Sequence, residues 1–359
     1  MKTPRPRLLL AAILALVLAP VAFPAAPAPA PAAERFVFAV IGCVPYARYN
    51  DGGKAFPRLI EEINRHAPAF TVHVGDTLAG SENATDELLK QRLAEFNTFA
   101  GPLIYTPGDN EWTDTHTTQA GGHDPLERLA KIRELYFAEE RSLGKTPIPL
   151  VSQRRDPMFK KFVENTRWAH GGVVFATAHV VGSSNNNQPN VPGAVAEWQE
   201  RDAANEAWLR AVFAEARATN ALGVAVFIQA DPFAADAGRQ GYTAGFEKFL
   251  KTFEEEARAY AKPVLLAHAD EHRFRIDYGM KFEASAAPVP NVTRLETFGD
   301  DNVHGSLVVV DPSSAQVFLP APLIVPGNGL PKLLPAAPRA GRGAPGRGGP
   351  APARGAAAP

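Results

Sequence analysis

The sequence predicts a mixed α/β protein in which one domain, residues 34–325, combines β-strands and helices. Three observations predict it. The 359 residues are 45% hydrophobic and 21% charged, a composition typical of a globular chain that can bury one large core or two small ones. Predicted strands alternate with predicted helices along most of the chain. Near the end, two β-rich runs around a turn at residues 304–320 predict a hairpin.

The first part of the domain repeats a strand followed by a helix. Residues 35–42 form an apolar run typical of a buried strand, and apolar side chains recur at helical spacing in residues 54–68. Residues 69–77 predict a second strand, residues 85–101 a second helix and residues 102–107 a third strand. This alternation is the pattern of an α/β sheet.

The second part continues the alternation with longer helices. Asp124 as a cap and Pro125 at the first helical position predict the start of a helix. The remaining predicted elements are helices at 124–140 and 197–216 and strands at 171–182, 222–231 and 262–270.

Both chain ends differ from the domain in composition. Residues 1–33 combine three basic residues, an apolar run and a stretch of small residues, which predicts a secretory signal peptide and small-residue linker. An uncleaved membrane anchor is the alternative. We therefore expect an exported protein, periplasmic or secreted, with no membrane span once the signal is removed. Residues 326–359, rich in Pro, Gly, Ala and Arg, predict a disordered tail.

The charge and cysteine content exclude some functions. Setting aside three basic residues of the leader and four arginines of the tail leaves 30 Lys and Arg against 38 Asp and Glu, about −8 in net charge. Such an acidic body predicts no nucleic-acid-binding surface. Cys43 is the one cysteine of the sequence, so an internal disulfide is excluded and stability must come from the core or from bound metal.

Four predicted strands end in clusters of polar side chains. Because the carboxyl ends of parallel strands meet at one edge of a sheet, we expect these clusters to converge. Convergence of Asp76, Asp109, Asp270 and His272 would give a hard, mostly oxygen metal site. The four clusters are IGCVPY at 41–46, HVGDT at 73–77, TPGDNEW at 106–112 and AHADEHRF at 267–274.

In this order the clusters resemble the motifs of the calcineurin-like metallophosphoesterase superfamily. That family has a strand-end Asp-x-His, then Gly-Asp, Gly-Asn-His-Asp/Glu, a His before a Pro, and Gly-His-x-His. The resemblance covers most of residues 35–320 and implies two packed mixed β-sheets flanked by helices. It also implies one or two divalent ions (Mn, Fe, Zn, Mg or Ca) and hydrolysis of a phosphorylated small-molecule or polymer substrate.

Carried over by position, the resemblance implies particular metal ligands. Asp76 matches the bridging carboxylate of the Gly-Asp motif, and Asp109 stands at the metal-binding Asn position. Asp270 stands at the first His of the last motif, and His272 matches its second His. Carboxylates in place of Asn or imidazole shift the preference toward harder ions.

The chain also departs from the family pattern. Cys43-Val44-Pro45 replaces the opening Asp-x-His, so Cys43 is either a thiolate ligand or a small buried hydrophobe. Asn110 replaces the proton-donating His and would orient the phosphate, since an amide cannot act as a general acid. No His precedes the Pro of FIQADPF, although Gln229 and Asp231 lie close by.

Other site candidates each have two interpretations. Glu111 supports the turn or takes part in catalysis, and His268 is a catalytic residue or second ligand, or a neutral histidine bonded to backbone. His179 is a metal ligand near the mouth of the site or a core histidine. Tyr46 and Trp112 flank the site and either wall a ligand or belong to the core.

Two functional hypotheses follow. The first is an exported metal-dependent phosphomonoesterase or phosphodiesterase. The second is a catalytically degenerate member of the same fold that binds a phosphate, carbohydrate or protein ligand without turnover, a reading favoured by the loss of the Asp-x-His motif and of the acid histidine. Substrate identity and oligomeric state carry no pattern in the sequence.

Overall fold

The computed structural model describes residues 34–233, 242–282 and 287–331. The strands are β1 (Phe36–Ile41), β2 (Thr71–His73), β3 (Leu103–Tyr105), β4 (Val151–Ser152), β5 (Thr166–His170), β6 (Val173–Thr177), β7 (Gly223–Phe227), β8 (Val264–His268), β9 (Arg275–Met280), β10 (Val289–Glu296), β11 (Gly305–Val310) and β12 (Phe318–Leu323). The helices are α1 (Ala55–His66), α2 (Asp86–Phe96), α3 (Pro125–Tyr136), a four-residue turn α4 (Gly182–Asn185), α5 (Ala194–Ala218) and α6 (Glu247–Tyr260).

The strands form two mixed sheets, which confirms the predicted fold class. The first has five strands in the order β12-β11-β1-β2-β3, and the second has seven in the order β4-β5-β6-β7-β8-β10-β9. Within the first sheet β1, β2 and β3 run parallel, and within the second β6, β7, β8 and β10 do. The remaining strands add to the sheets antiparallel.

Aromatic side chains from both sheets fill the space between them. The Phe38 and Phe175 ring centroids lie 5.5 Å apart, edge to face, and those of Phe70 and Phe175 lie 4.9 Å apart. The ring of Phe175 also stacks on that of Trp168. Because such rings bury large apolar areas and hold preferred geometries, this cluster fixes one sheet against the other.

Helices cover the outer faces of both sheets. In α1 the apolar positions fall on one face, and Phe56, Leu59 and Ile63 are buried there. The helices α2 and α3 share this core, with the Asp124 carboxylate accepting from the Leu126 N–H as the predicted cap of α3. On the other sheet, α5 and α6 bury a second apolar cluster.

The described residues include four strands that the sequence patterns did not predict: β4, β5, β9 and β10. The last two, β9 and β10, are neighbours in the second sheet. Both have partly exposed or polar positions, such as Arg275, Asp277 and Asn291, so no apolar run identifies them.

The predicted leader lies outside the described residues, as does the tail from residue 332 onward. Residues 326–331 are described, and the Asn328 amide donates to the carbonyls of Ala55 and Val303. No helix of the described ranges is long and apolar enough to span a membrane.

We expect the Phe175→Ala substitution to lower the free energy of unfolding by about 3–5 kcal/mol, because it leaves a cavity between the sheets. Urea unfolding of the two proteins measures the change. The control is Met158→Ala, since Met158 is 82% exposed and its loss should change stability by less than about 0.5 kcal/mol. Equal effects of the two substitutions would contradict the packing described here.

Candidate metal centre

The polar clusters converge where strands β1, β2, β3 and β8 end. Cys43, Asp76, Asp270 and His272 all have positive φ, between 52° and 79°. Left-handed backbone is unfavourable for residues with a Cβ and persists at functional sites where the surrounding structure enforces it. The turns therefore leave the sheet in strained conformations that bring these side chains together.

A close backbone approach makes one glycine of the site obligatory. An added Cβ on Gly108 would lie 2.0 Å from Asp76 Oδ1 and 2.4 Å from the Asp76 nitrogen. Any side chain at position 108 would push the two Gly-Asp turns apart. Gly108 therefore allows Asp76 and Asp109 to face the same point.

Three carboxylates meet at this point. Oxygens of Asp76, Asp109 and Asp270 lie within 4.8 Å of one another. Burial, followed by mutual repulsion with neighbouring carboxylates, raises the pKa of Asp76 and Asp270 well above the ordinary value. The pKa of Asp109 is raised to about 7, mainly by burial.

The side-chain amide of Gln229 lies against all three carboxylates. Its Nε2 is 3.2 Å from Asp76 Oδ2, 3.1 Å from Asp109 Oδ1 and 3.0 Å from Asp270 Oδ1. Its Oε1 accepts from the Gly182 N–H at 2.6 Å, which fixes the orientation of the amide. Because a neutral NH₂ group has two hydrogens for three acceptors and no charge, Gln229 leaves the repulsion among the carboxylates uncompensated.

A second group of ligand atoms shares Asp76 with the first. Atoms of Cys43, Asp76 and His272 lie within 4.8 Å of one another. The Cys43 Sγ accepts from the Asp270 N–H at 3.3 Å and lies 3.5 Å from Asp76 Oδ2. Burial and the carboxylates of Asp76 and Asp270 raise the pKa of the Cys43 thiol, so only a bound cation would stabilise a thiolate here.

These donor sets fit divalent metal. The first group offers carboxylate oxygens, which suit hard ions, and the second adds a thiol and an imidazole, which suit softer ones. Asp76 belongs to both groups, so its carboxylate would be shared if each group held an ion. The residues predicted as metal ligands are thus brought together, with the exception of His179.

An open cavity of about 250 Å³ lies over the two groups and is lined in part by Tyr46, Arg48 and Asn110. The Tyr46 hydroxyl donates to Asp76 Oδ2 at 3.1 Å and accepts from the Asn110 amide at 3.2 Å. Arg48 pairs with Asp300 at 3.2 Å, and Asp300 also lies 3.7 Å from the His272 ring nitrogen. Sequence reasoning missed Arg48, because a single basic residue in an irregular loop carries no pattern.

The structure places three other predicted residues away from this cavity. Glu111 is fully buried and accepts from the Thr77 N–H at 2.8 Å and from the Tyr105 hydroxyl at 3.1 Å, which holds the two turns together. His179 is fully buried, with its Nδ1 2.8 Å from Glu164, and packs against the buried Trp112 ring. His268 is fully buried and belongs to neither ligand group above.

Comparison with known proteins bears on the fold. No protein-family model matches the sequence, and no curated protein matches it. Among solved structures, PhoD matches with a TM-score of 0.51 and 11% sequence identity, over 79% of this chain and 66% of the PhoD chain. The similarity shows that the chain shares the fold of PhoD, a sandwich of two mixed sheets flanked by helices. A purple acid phosphatase from yellow lupin (Lupinus luteus) matches with a TM-score of 0.48 and 11% sequence identity, over 85% of this chain and 58% of the other.

The raised pKa of Asp109 gives a pH prediction for the metal-free protein. The unfolded chain releases this proton near the ordinary value of 3.8, whereas the folded chain holds it up to about 7. Because the folded state then binds more protons, the free energy of unfolding falls as pH rises through this window. Asn mimics the protonated acid, so the stability of Asp109→Asn relative to the wild type should be higher at pH 8 than at pH 5, by on the order of 1–3 kcal/mol.

Thermal melting in the presence of a chelator at both pH values measures this difference. Addition of a divalent ion at pH 8 should stabilise the wild type more than the variant. A wild-type protein that exceeds the metal-free variant in stability at pH 8 would contradict the assignment.

Proposed function

We propose that this protein is a metal-dependent phosphoester hydrolase that acts on phosphomonoesters or phosphodiesters. The observation that carries the proposal is the pair of ligand groups that share Asp76 under an open cavity. Divalent ions bound there would polarise the phosphoryl oxygens and supply hydroxide. Asp76, Asp109, Asp270, His272 and Cys43 would hold one or two ions, chosen from Mn, Fe, Zn, Mg or Ca.

The side chains that line the cavity are suited to bind the phosphate. The Asn110 amide reaches the cavity beside Asp76 and would hydrogen-bond to a phosphate oxygen. Arg48 adds a positive charge on a side chain that is 57% exposed, so it has room to turn from Asp300 and meet an anion in the cavity. Tyr46 keeps its proton at neutral pH, because burial and Asp76 raise its pKa, and it acts as a hydroxyl donor.

A second candidate function is binding of a phosphate, carbohydrate or protein ligand without turnover. It is favoured by Asn110, which cannot donate a proton to a leaving group, and by the Gln229 amide that contacts all three carboxylates. The two functions differ in whether product forms.

We also propose that the protein acts outside the cytoplasm, on a phosphorylated small molecule or polymer. The leader pattern of residues 1–33 supports export. The domain has a net negative charge and so lacks the basic surface that usually binds nucleic acid. This supports a substrate of another kind. The openness of the cavity to solvent supports access by a phosphoryl group at the end of a larger molecule.

The Asp76→Asn substitution should lower kcat/KM for p-nitrophenyl phosphate or bis(p-nitrophenyl) phosphate by at least about 100-fold, because it removes a ligand of both groups. Elemental analysis should show loss of bound metal in the same variant. Asp51→Asn is the matched control, since Asp51 is exposed and pairs with Arg58 away from the site. A chain that hydrolyses neither substrate with any of the five metals, yet binds phosphate, would contradict the hydrolase and support the second function.

The Asn110→His substitution tests the missing acid. It should raise kcat for phenyl phosphate, a poor leaving group, by about tenfold or more, because a histidine there can protonate the departing oxygen. The gain for p-nitrophenyl phosphate should be much smaller, since that leaving group needs little protonation. Equal gains for the two substrates would show that position 110 does not act through proton transfer.

A further inference from the structure

A second cluster of ligating side chains lies outside the proposed catalytic centre. Three neighbouring parallel strands, β7, β8 and β10, each deliver one of its members. His268 is the last residue of β8 and Glu296 the last of β10, and the two are register partners. Asp231 follows the end of β7. Ligand atoms of the three residues lie within 4.8 Å of one another, and all three side chains are buried.

The polar atoms of this cluster are incompletely satisfied. His268 Nδ1 faces the Ala269 carbonyl at 3.0 Å, whereas its Nε2 has no hydrogen-bond partner in the described part of the chain. The same holds for Glu296 Oε2, although the Arg275 guanidinium lies 3.3 Å from it. A backbone carbonyl on Nδ1 fixes the tautomer that leaves the Nε2 lone pair free, which is how proteins orient ligating histidines.

We propose that Asp231, His268 and Glu296 form a separate, inner metal site that takes a divalent transition ion such as Zn²⁺. One imidazole nitrogen and two carboxylate oxygens are a suitable donor set for this ion. The inner site goes beyond the proposed hydrolase, because none of its residues belongs to the two ligand groups around Asp76.

The electrostatics of the cluster support a neutral ligand histidine. Burial lowers the pKa of His268 to about 4, so its imidazole is uncharged at neutral pH. Burial and the neighbouring Asp231 raise the pKa of Glu296 to about 8, which a bound cation would reverse. Burial is the largest cause of both shifts.

Arg275 is the cation that a metal would displace. Its guanidinium lies 3.2 Å from Asp231 and 3.4 Å from Asp277, but its side chain is 37% exposed and has room to turn toward solvent. Arg294 is 6% exposed and remains paired with Asp277, and its guanidinium also lies 3.6 Å from Asp231. With Arg275 turned away, Asp231, Asp277 and Glu296 carry three negative charges, which Arg294 and one divalent ion balance.

The test uses the Asp76→Asn/Asp109→Asn double variant as a background. These substitutions disable the outer centre, which is the two ligand groups that share Asp76. Asp270 is kept because its Oδ2 accepts from the Asp231 N–H at 3.2 Å. After exposure to Zn²⁺ and buffer exchange, elemental analysis should find one Zn²⁺ per chain in this background. Adding His268→Ala or Glu296→Gln should remove it.

His73→Gln is the matched control for loss of a buried histidine. Like His268, His73 is fully buried, bonds a backbone carbonyl through one ring nitrogen and has a pKa lowered to about 4. Among the described residues it belongs to no ligand group. The zinc content of the background should be unchanged by His73→Gln.

Arg275→Ala provides a measurement in the opposite direction. Removing the competing cation should tighten the Kd for Zn²⁺ in the background by about tenfold. An ion-pair network without a metal site predicts no zinc in either protein. A background without zinc, or zinc that persists after both His268→Ala and Glu296→Gln, would overturn the inner site. Glu296→Gln, being nearly isosteric, decides the matter if His268→Ala does not fold.

Discussion

The repulsion among three buried carboxylates is the constraint on which the arrangement of this site depends. Bringing Asp76, Asp109 and Asp270 to one point inside a protein is unfavourable unless donors or cations surround them. Donors do surround them: the Gln229 amide, the Tyr46 hydroxyl and backbone N–H groups all point at these oxygens. None of these groups carries a positive charge. Neutral donors leave this negative charge unbalanced, which is the condition under which a bound cation would stabilise the site.

The two-sheet packing is what holds the carboxylates in place against this repulsion. The Phe175 cluster fixes the sheets face to face, so strand ends from both sheets meet at one edge. Asp76 and Asp109 come from the first sheet, whereas Gln229 and Asp270 come from the second. The turns at these strand ends have strained left-handed backbone. They persist because the packing of the aromatic core fixes the position of each strand.

The sequence predicted the parts of the fold and site that have local signals. The apolar runs before Gly75-Asp76 and Gly108-Asp109 identified two strands and placed their carboxylates at strand ends, and the structure brings them together. The strands β9 and β10 have mixed polar and apolar faces, so their pattern resembles that of a loop. Glu296 and Arg275 lie on those strands, and the inner cluster was therefore invisible before the structure. The role of Gln229 was equally hidden, because it depends on contacts with residues up to 153 positions away.

The two clusters are mechanically linked, which bears on why the inner one would exist. β7 leads to both Gln229 and Asp231, and the end of β8 leads to both His268 and Asp270. Within each pair, one residue faces the outer carboxylates and the other faces the inner cluster. The Asp231 N–H donates to Asp270 Oδ2, so a shift of either loop moves both groups. An ion held by Asp231, His268 and Glu296 would therefore stiffen the loops that position Gln229 and Asp270, in the way that outer-shell contacts orient metal ligands elsewhere. Among the described residues, β1 leads to a single member of the two outer ligand groups, Cys43, and added rigidity from β7 and β8 would offset that limited support.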